Sequence, residues 1–323
     1  MAVPSSLDGN IPVVNMGSLG VGKEEEGASE AEWHRVAQGL YDALSGVGFV
    51  YLSHHGIPEA QINNYTNATA AFFSLDQQTK DKYSLSECNN DDNQNGYIVA
   101  DRERLDKTGR FSELRESYYM RNLEGVLPDS EVPQIRPSLK AFVASCRILT
   151  NRVLRALALG LGLQEDFFTS THRGMCLESP RNGTVLRINH YPPLPVPIPD
   201  NVTRCGAHTD YGSITLLFQD SMGGLQVRNV DGMWVDAEPK AGTVLVNAGD
   251  LLQMWTANRI VATEHRVVIP KEESRQRASR YSVAFFVSPD DEVLVRPIDG
   301  STSHPPVTAR QHLLDMYAKT YQY

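Results

Sequence analysis

From Thr184 onward the chain breaks into short runs rich in β-branched and aromatic residues, each closed by Gly, Pro, Asp or Asn. The runs cover 184–191, 213–219, 225–229, 243–247, 261–269, 280–288 and 293–296. Segments this short have the length of strands rather than of helices in a globular domain. So many, so evenly spaced, predict a sandwich, a barrel or a jelly roll. No repeat and no linker divides the region.

Ahead of it the periodicity is mostly helical. Ile11-Pro12-Val13-Val14-Asn15 reads as a short strand. Ser29-Glu30-Ala31-Glu32 has the pattern of a capping box, and Trp33, Val36, Ala37, Leu40 and Leu44 follow at helical spacing. Gly48–Leu52 is a second short strand. The adjacent His54 and His55 that follow it point to opposite sides of an extended segment, so they read as a turn and not as a metal pair. The segment 59–83 is helical in pattern, and the polar segment 87–96 is a loop that either covers a site or only connects. Ser138 is placed to cap a long helix striped by Leu139, Phe142, Val143, Cys146, Leu149, Val153 and Leu157 as far as Gly160. Such a helix braces a sheet. A closing helix over 308–321, with Thr308 and Gln311 as its capping pair, lies against the barrel or serves as an oligomer contact.

Composition excludes several classes. There are 39 acidic against 30 basic residues, a net charge of −9, and no basic footprint for nucleic acid. A hydrophobic share of 41% with 21% charged residues suits an ordinary soluble protein with a sizeable core. No run is long and apolar enough for a membrane span, and residues 1–10 lack the features of a signal peptide, so a cytoplasmic location is expected. The four cysteines, Cys88, Cys146, Cys176 and Cys205, form no zinc-like spacing and read as free thiols. Cys205 lies close enough to His208 to contribute to a site, but packing is the role expected of it.

Three pairs carry the chemistry: Asn189-x-Tyr191, His208-x-Asp210 and Arg280-x-Ser282. In a strand, side chains two apart share a face, so each pair points one way, and a barrel brings such faces together. His265, inside an apolar run, adds a second imidazole. Two neutral imidazoles and a carboxylate make the facial set of non-haem Fe(II) oxygenases, which leaves the opposite side of the metal open. A lone His-x-Asp is ordinarily a packed or surface pair, and a lone strand Arg ordinarily meets a surface acid. Taken together, an Arg fork with hydroxyls from Ser282 and Tyr191 is suited to one carboxylate of a small dicarboxylate, of which 2-oxoglutarate is an example.

In these segments the chain resembles the isopenicillin N synthase-like family of 2-oxoglutarate- and Fe(II)-dependent oxygenases. The resemblance rests on Ile11-Pro12-Val13-Val14, Gly48-Phe49, His55-Gly56-Ile57-Pro58, Phe72-Phe73, Asn189-His190-Tyr191-Pro192-Pro193, Ala207-His208-Thr209-Asp210, Gly223-Gly224-Leu225-Gln226-Val227, Val246-Asn247 with Gly249-Asp250, His265-Arg266-Val267 and Arg280-Tyr281-Ser282, in that order. It implies a mainly β fold: a double-stranded β-helix (cupin-like jelly roll) with helices packed around it. A single oxygenase domain over 1–323 is expected, with a mostly helical part at 1–183, the jelly roll at 184–300 and a C-terminal helix at 301–323. It also implies that His208, Asp210 and His265 hold Fe(II), and that Arg280, Ser282, Tyr191 and Asn189 hold 2-oxoglutarate. Tyr97, Phe285 and Tyr317 are implied to face the substrate. His190 stands where the family often has Tyr, and by alternation it points away from the Tyr191 face.

The activity so implied is oxidation of a small-molecule metabolite with O2, releasing succinate and CO2, with ascorbate as an accompanying reductant. Hydroxylation is the default outcome; desaturation, cyclisation and dealkylation are variants. A monomer or weak homo-oligomer, with no nucleic-acid or membrane partner, is expected. Two alternatives stay open: a 2-oxoglutarate-independent Fe(II) oxidase of the isopenicillin N synthase or aminocyclopropane-carboxylate oxidase type, and a non-catalytic cupin-like binding protein.

Overall fold

The computed structural model describes residues 11–24, 27–85, 95–103, 105, 111–175 and 181–320. Most of the polar loop at 87–96, with Cys88, and likewise Cys176 and Tyr321, lie outside them.

The β elements that build the site region are, in chain order, β1 (Val13–Asn15), β2 (Phe49–Ser53), β3 (Gly96–Ile98), β4 (Ser112–Glu113), β5 (Glu116–Met120), β6 (Val185–Tyr191), β7 (Val202–Thr203), β8 (Cys205–His208), β9 (Ile214–Gln219), β10 (Leu225–Arg228), β11 (Trp234–Asp236), β12 (Thr243–Ala248), β13 (His265–Val267) and β14 (Arg280–Val287). Eight of them form one sheet in the order β1-β2-β12-β9-β14-β6-β5-β3, and four form a second, β11-β10-β13-β8. This is a jelly roll, one of the architectures the short runs allow and the one the resemblance implies.

The strand period of two sorts residues between the sheet's faces. In β14, Val283, Phe285 and Val287 join the main core, while Arg280 and Ser282 face the other way. In β12, Val244 and Val246 enter the main core, and Leu245 enters a smaller cluster with Phe49, Tyr51, Tyr191, Leu225, Val227 and Val267. That smaller cluster draws on both sheets, so it fills the space between them. Polar residues admitted there are enclosed by apolar walls.

Helices cover the outer face. Glu30–Gly46 begins with a full capping box, Ser29 and Glu32 exchanging side-chain and backbone bonds. The helix Ile135–Gly160 packs beside it, its buried stripe including Leu139, Phe142, Cys146, Leu149, Val153 and Leu157. Its start differs from expectation. Pro137 occupies the first turn, where no N–H is required, and Ser138 lies inside the helix, its hydroxyl donating back to the Gln134 carbonyl at 2.7 Å.

Other runs are divided more finely than their periodicity suggests. The helical segment 59–83 stops at Phe73, and a second short helix, Gln77–Asp81, starts under an Asp76 cap that accepts from Thr79 N at 2.9 Å. The run 261–269 contributes only His265–Val267 as strand. Within the mostly helical front part, β3 and β5 extend the large sheet. Every residue of both strands is buried, so no alternation of polar and apolar residues betrays them. Among the described residues no helix is long and apolar enough to cross a membrane.

Candidate active site

β8 and β13 are antiparallel neighbours, and their register sets His265 opposite His208. Each ring is held through Nδ1, 2.9 Å from the Gly206 carbonyl for His208 and 3.1 Å from the Thr263 carbonyl for His265. A carbonyl only accepts, so each Nδ1 is the donor, and in the neutral tautomer this leaves the lone pair on Nε2. Both Nε2 atoms face Asp210 Oδ1, at 3.8 Å from His208 and 3.6 Å from His265. The other Asp210 oxygen is occupied: Thr215 Oγ1 donates to it at 2.6 Å and Asn247 Nδ2 at 2.7 Å. One atom from each of the three residues lies within 4.8 Å of the others.

Burial first, and the neighbouring His208 second, push the His265 imidazole below its ordinary range, so it is neutral. Burial opposes ionisation of Asp210, but the two imidazoles and the Asn247 and Thr215 donors hold its carboxyl below the ordinary range. A neutral His265 imidazole and an ionised Asp210 carboxylate are protonation states a metal needs. Asp210 itself is not on a strand, because β8 ends at His208. The turn that carries it is pinned by the start of the helix Asp250–Trp255, where Asp250 N donates to the Asp210 carbonyl at 2.8 Å. Gly249 permits this approach; a Cβ there would stand 2.4 Å from the Gly212 carbonyl oxygen.

β14 and β6 pair so that Arg280 is opposite Tyr191 and Ser282 opposite Asn189. Arg280 is 1% exposed. Its guanidinium donates to the Gly223 carbonyl at 2.7 Å and to Ser282 Oγ at 3.4 Å, and lies over the Tyr191 ring at 4.8 Å. These partners are neutral. Asn189 Oδ1 is buried with no hydrogen-bond partner among the described residues. A buried cation met by neutral groups marks a place for an anionic ligand, while the orphaned Asn189 oxygen, an acceptor, calls for a donor. Arg280, Ser282, Tyr191 and Asn189 line one cavity of about 50 Å³ together with His208, Asp210 and His265.

A second cavity, of about 70 Å³, shares His208, Asp210, Arg115 and Phe286 with the first. Tyr119, Tyr211, Tyr317 and Leu313 give it apolar and phenolic walls, with the Tyr119 and Tyr317 hydroxyls 3.0 Å apart. Its polar end is a buried ionic network in which Glu103 meets Arg187 at 2.5 Å and Arg115 at 2.8 Å. Burial would raise the Glu103 carboxyl, but the two guanidiniums hold it at about 2. A larger surface groove at Phe167, Trp255 and Pro305, about 850 Å³, shares no residue with either cavity.

Tyr317 lines the second cavity; Tyr97 and Phe285 line neither. Tyr97 is on β3, with its hydroxyl donating to Glu116 Oε2 at 2.5 Å and its ring against Phe72. Phe285 is an odd number of residues from Arg280, which turns it into the main core, and Phe286 is the residue that reaches the cavities. The same parity could have found Arg187, two residues before Asn189 on β6. Thr215, Glu103 and Arg115 gave no such signal, since only tertiary contact gives them a role. His190 points away from the site, 2.7 Å from Glu116 and stacked on Tyr281. The Cys205 thiol is pushed by burial to about 12, so it packs and does not react at neutral pH.

Two family models match: the 2OG-Fe(II) oxygenase superfamily over residues 182–289, and the non-haem dioxygenase in morphine synthesis N-terminal model over 11–138. The 2-oxoglutarate-Fe(II) type oxidoreductase ppzD of Metarhizium rileyi is 34% identical over 286 residues, covering 82% of this chain and 78% of its own. Proline hydroxylase buaE of Petromyces alliaceus is 32% identical, covering 81% and 83%. Among solved structures, a full-length Neurospora crassa protein in complex with alpha-KG and thymine superposes with a TM-score of 0.82 at 27% identity, covering 98% of this chain and 99% of that one. The chain belongs to the 2-oxoglutarate- and Fe(II)-dependent oxygenases of the isopenicillin N synthase-like type, and is a dioxygenase of small-molecule metabolites.

Proposed function

We propose that His208, Asp210 and His265 hold the iron, and that Arg280, Ser282, Tyr191 and Asn189 hold 2-oxoglutarate in the cavity beside it. The observation that carries this reading is the convergence of two free Nε2 atoms on the one Asp210 oxygen left open by Thr215 and Asn247. Iron and 2-oxoglutarate, when bound, supply O2 activation and the electrons for it, with succinate and CO2 as products. The chain's part is placement. Arg280 and Ser282 receive the carboxylate distal to the metal, and Tyr191 closes over the Arg280 guanidinium.

The substrate enters the second cavity, between Tyr119, Tyr211, Phe286 and Tyr317, and its polar end meets the Arg187–Glu103 pair. Those walls exclude water and hold one C–H bond toward the ligand set. Hydroxylation is the default outcome, with desaturation, cyclisation or dealkylation set by which bond is presented. A relative named as a proline hydroxylase, and a similar structure in complex with thymine, support a small polar metabolite. We further read the chain as one domain, monomeric or weakly self-associating and cytoplasmic, without nucleic-acid or membrane partners, and with ascorbate as a reductant.

The test is an anaerobic titration of the metal-free protein with Fe(II), with and without 2-oxoglutarate, following the visible charge-transfer band of the chelated complex. A band that requires both components and disappears in His208→Ala is expected. Iron binding without that band would move the 2-oxoglutarate-independent oxidase to the front, and no iron binding would favour a binding protein.

A further inference from the structure

Arg204 immediately precedes β8, and its side chain is fully enclosed, with 0% of the residue exposed. Its Nε, Nη1 and Nη2 are all buried with no hydrogen-bond partner among the described residues. Arginine is hard to bury, because its five N–H donors and fixed charge demand partners. What surrounds this one is unusual. Its guanidinium lies 5.9 Å from the centre of the Tyr191 ring, and the Arg280 guanidinium lies 4.8 Å from the centre of the same ring. Two buried cations thus share one aromatic ring, and Arg280 donates to the neutral oxygens of Gly223, Ser282 and Gln219.

The acid that acts on Arg204 is Asp220, and its carboxylate is committed to the chain, accepting from Tyr281 N at 2.6 Å and Met222 N at 2.9 Å. Burial and the charge of Arg280 hold the Arg204 guanidinium below its ordinary range. A neutral residue in this position would avoid that cost. The arrangement therefore makes sense where an anion completes it.

We propose that Arg204 is a positioning residue of the 2-oxoglutarate site: beside the Tyr191 ring it adds a second positive charge to the subsite in which Arg280 contacts the distal carboxylate. This rests on the 2-oxoglutarate reading above. Arg204 does not line the cavity, so it acts on the carboxylate through the low-dielectric interior and through its hold on Tyr191. Its effect falls on ligands that carry the distal charge and spares those that do not.

The experiment measures anaerobic dissociation constants from the Fe(II) charge-transfer band for 2-oxoglutarate and for 2-oxopentanoate, which replaces the distal carboxylate by a methyl group. Wild type is compared with Arg204→Gln, Arg204→Met and Arg204→Lys. The neutral variants are expected to bind 2-oxoglutarate roughly tenfold more weakly and 2-oxopentanoate nearly as well as wild type does, so the ratio of the two constants falls about tenfold. Arg204→Lys, which keeps a charge, loses less and in the same sense, and it carries the test if neither neutral variant folds. A ratio unchanged from wild type, whether both ligands weaken together or neither does, assigns Arg204 a structural role and overturns the proposal. Failure of the underlying reading looks different: wild type itself would give no 2-oxoglutarate band.

Discussion

Phe285 and Phe286 are adjacent on β14, yet the pleat sends one into the main core and the other toward the ligand set, so truncating each to Ala should have separable effects. Phe285 is 0% exposed and sits opposite Leu216 on β9 and Leu186 on β6, both in the same core. Removing a fully buried phenyl ring costs its transfer free energy plus that of the cavity left behind, about 4 kcal/mol. With about 2.1 cal/mol/K of unfolding entropy per residue, a chain of 323 residues carries roughly 0.7 kcal/mol/K. Phe285→Ala should therefore lower Tm by about 6 °C. Phe286 is half-buried and already borders both cavities, so there is little packed volume to lose. Phe286→Ala should cost about 1 kcal/mol and lower Tm by less than about 2 °C. It should instead shift the Fe(II)–2-oxoglutarate charge-transfer band. Scanning calorimetry of the metal-free proteins and visible spectra of the loaded ones measure both. If Phe286→Ala melts as low as Phe285→Ala and leaves the spectrum unchanged, the assignment of faces on β14 is wrong.

Two further perturbations follow from the same geometry. Asn247→Ala or Thr215→Val frees the second Asp210 oxygen to rotate, and iron affinity, measured by competition with a chelator, should fall roughly 10- to 100-fold while the ligands themselves remain; unaltered affinity would mean that these donors do not orient the carboxylate. His172 is fully buried between the Phe168 carbonyl and Ser213 Oγ, and burial holds its imidazole at about 4 against an ordinary 6.5. The unfolded chain therefore takes up a proton that the folded one refuses. The associated stability is present above pH 6.5 and is lost as pH falls toward 4, amounting to about 2 kcal/mol between pH 7 and pH 5. Urea titrations should show that loss in wild type and less of it in His172→Gln; parallel pH slopes would count against a neutral buried His172.

How much of this is legible in the sequence depends on whether a residue's role is local. The jelly roll is, because short β-rich runs closed by Gly, Pro and Asp state both the strand and its end. The capping box at Ser29 is, because all its atoms lie within four residues. β3 and β5 are not: buried on both faces, they carry Glu116, Ser117 and three Tyr without a period-two signature. The start of the helix at Ile135 is hidden for a comparable reason, Ser138 having the chemistry of a cap while Pro137 determines where the first turn can lie.

The site divides along the same line. Strand parity suffices to bring Asn189, Tyr191, Arg280 and Ser282 to one wall, and applied consistently it selects Phe286 over Phe285 and adds Arg187. Parity gives the wrong reason for Asp210, which lies past the end of β8 and reaches the imidazoles because Asp250, opening the helix Asp250–Trp255, holds its turn in place. It says nothing about Arg204, whose significance is that three donor atoms find no partner among the described residues. Pattern reading recovers the residues that a strand orients, and it misses those defined by what the rest of the fold withholds from them. In this chain the second kind surrounds the first: Thr215 and Asn247 take one oxygen of Asp210 and leave the other, Arg280 meets neutral partners, and the donors of Arg204 go unmatched among the described residues. On the proposed reading, iron and 2-oxoglutarate supply what the first two lack, at the cavity that Asp210 and Arg280 both line.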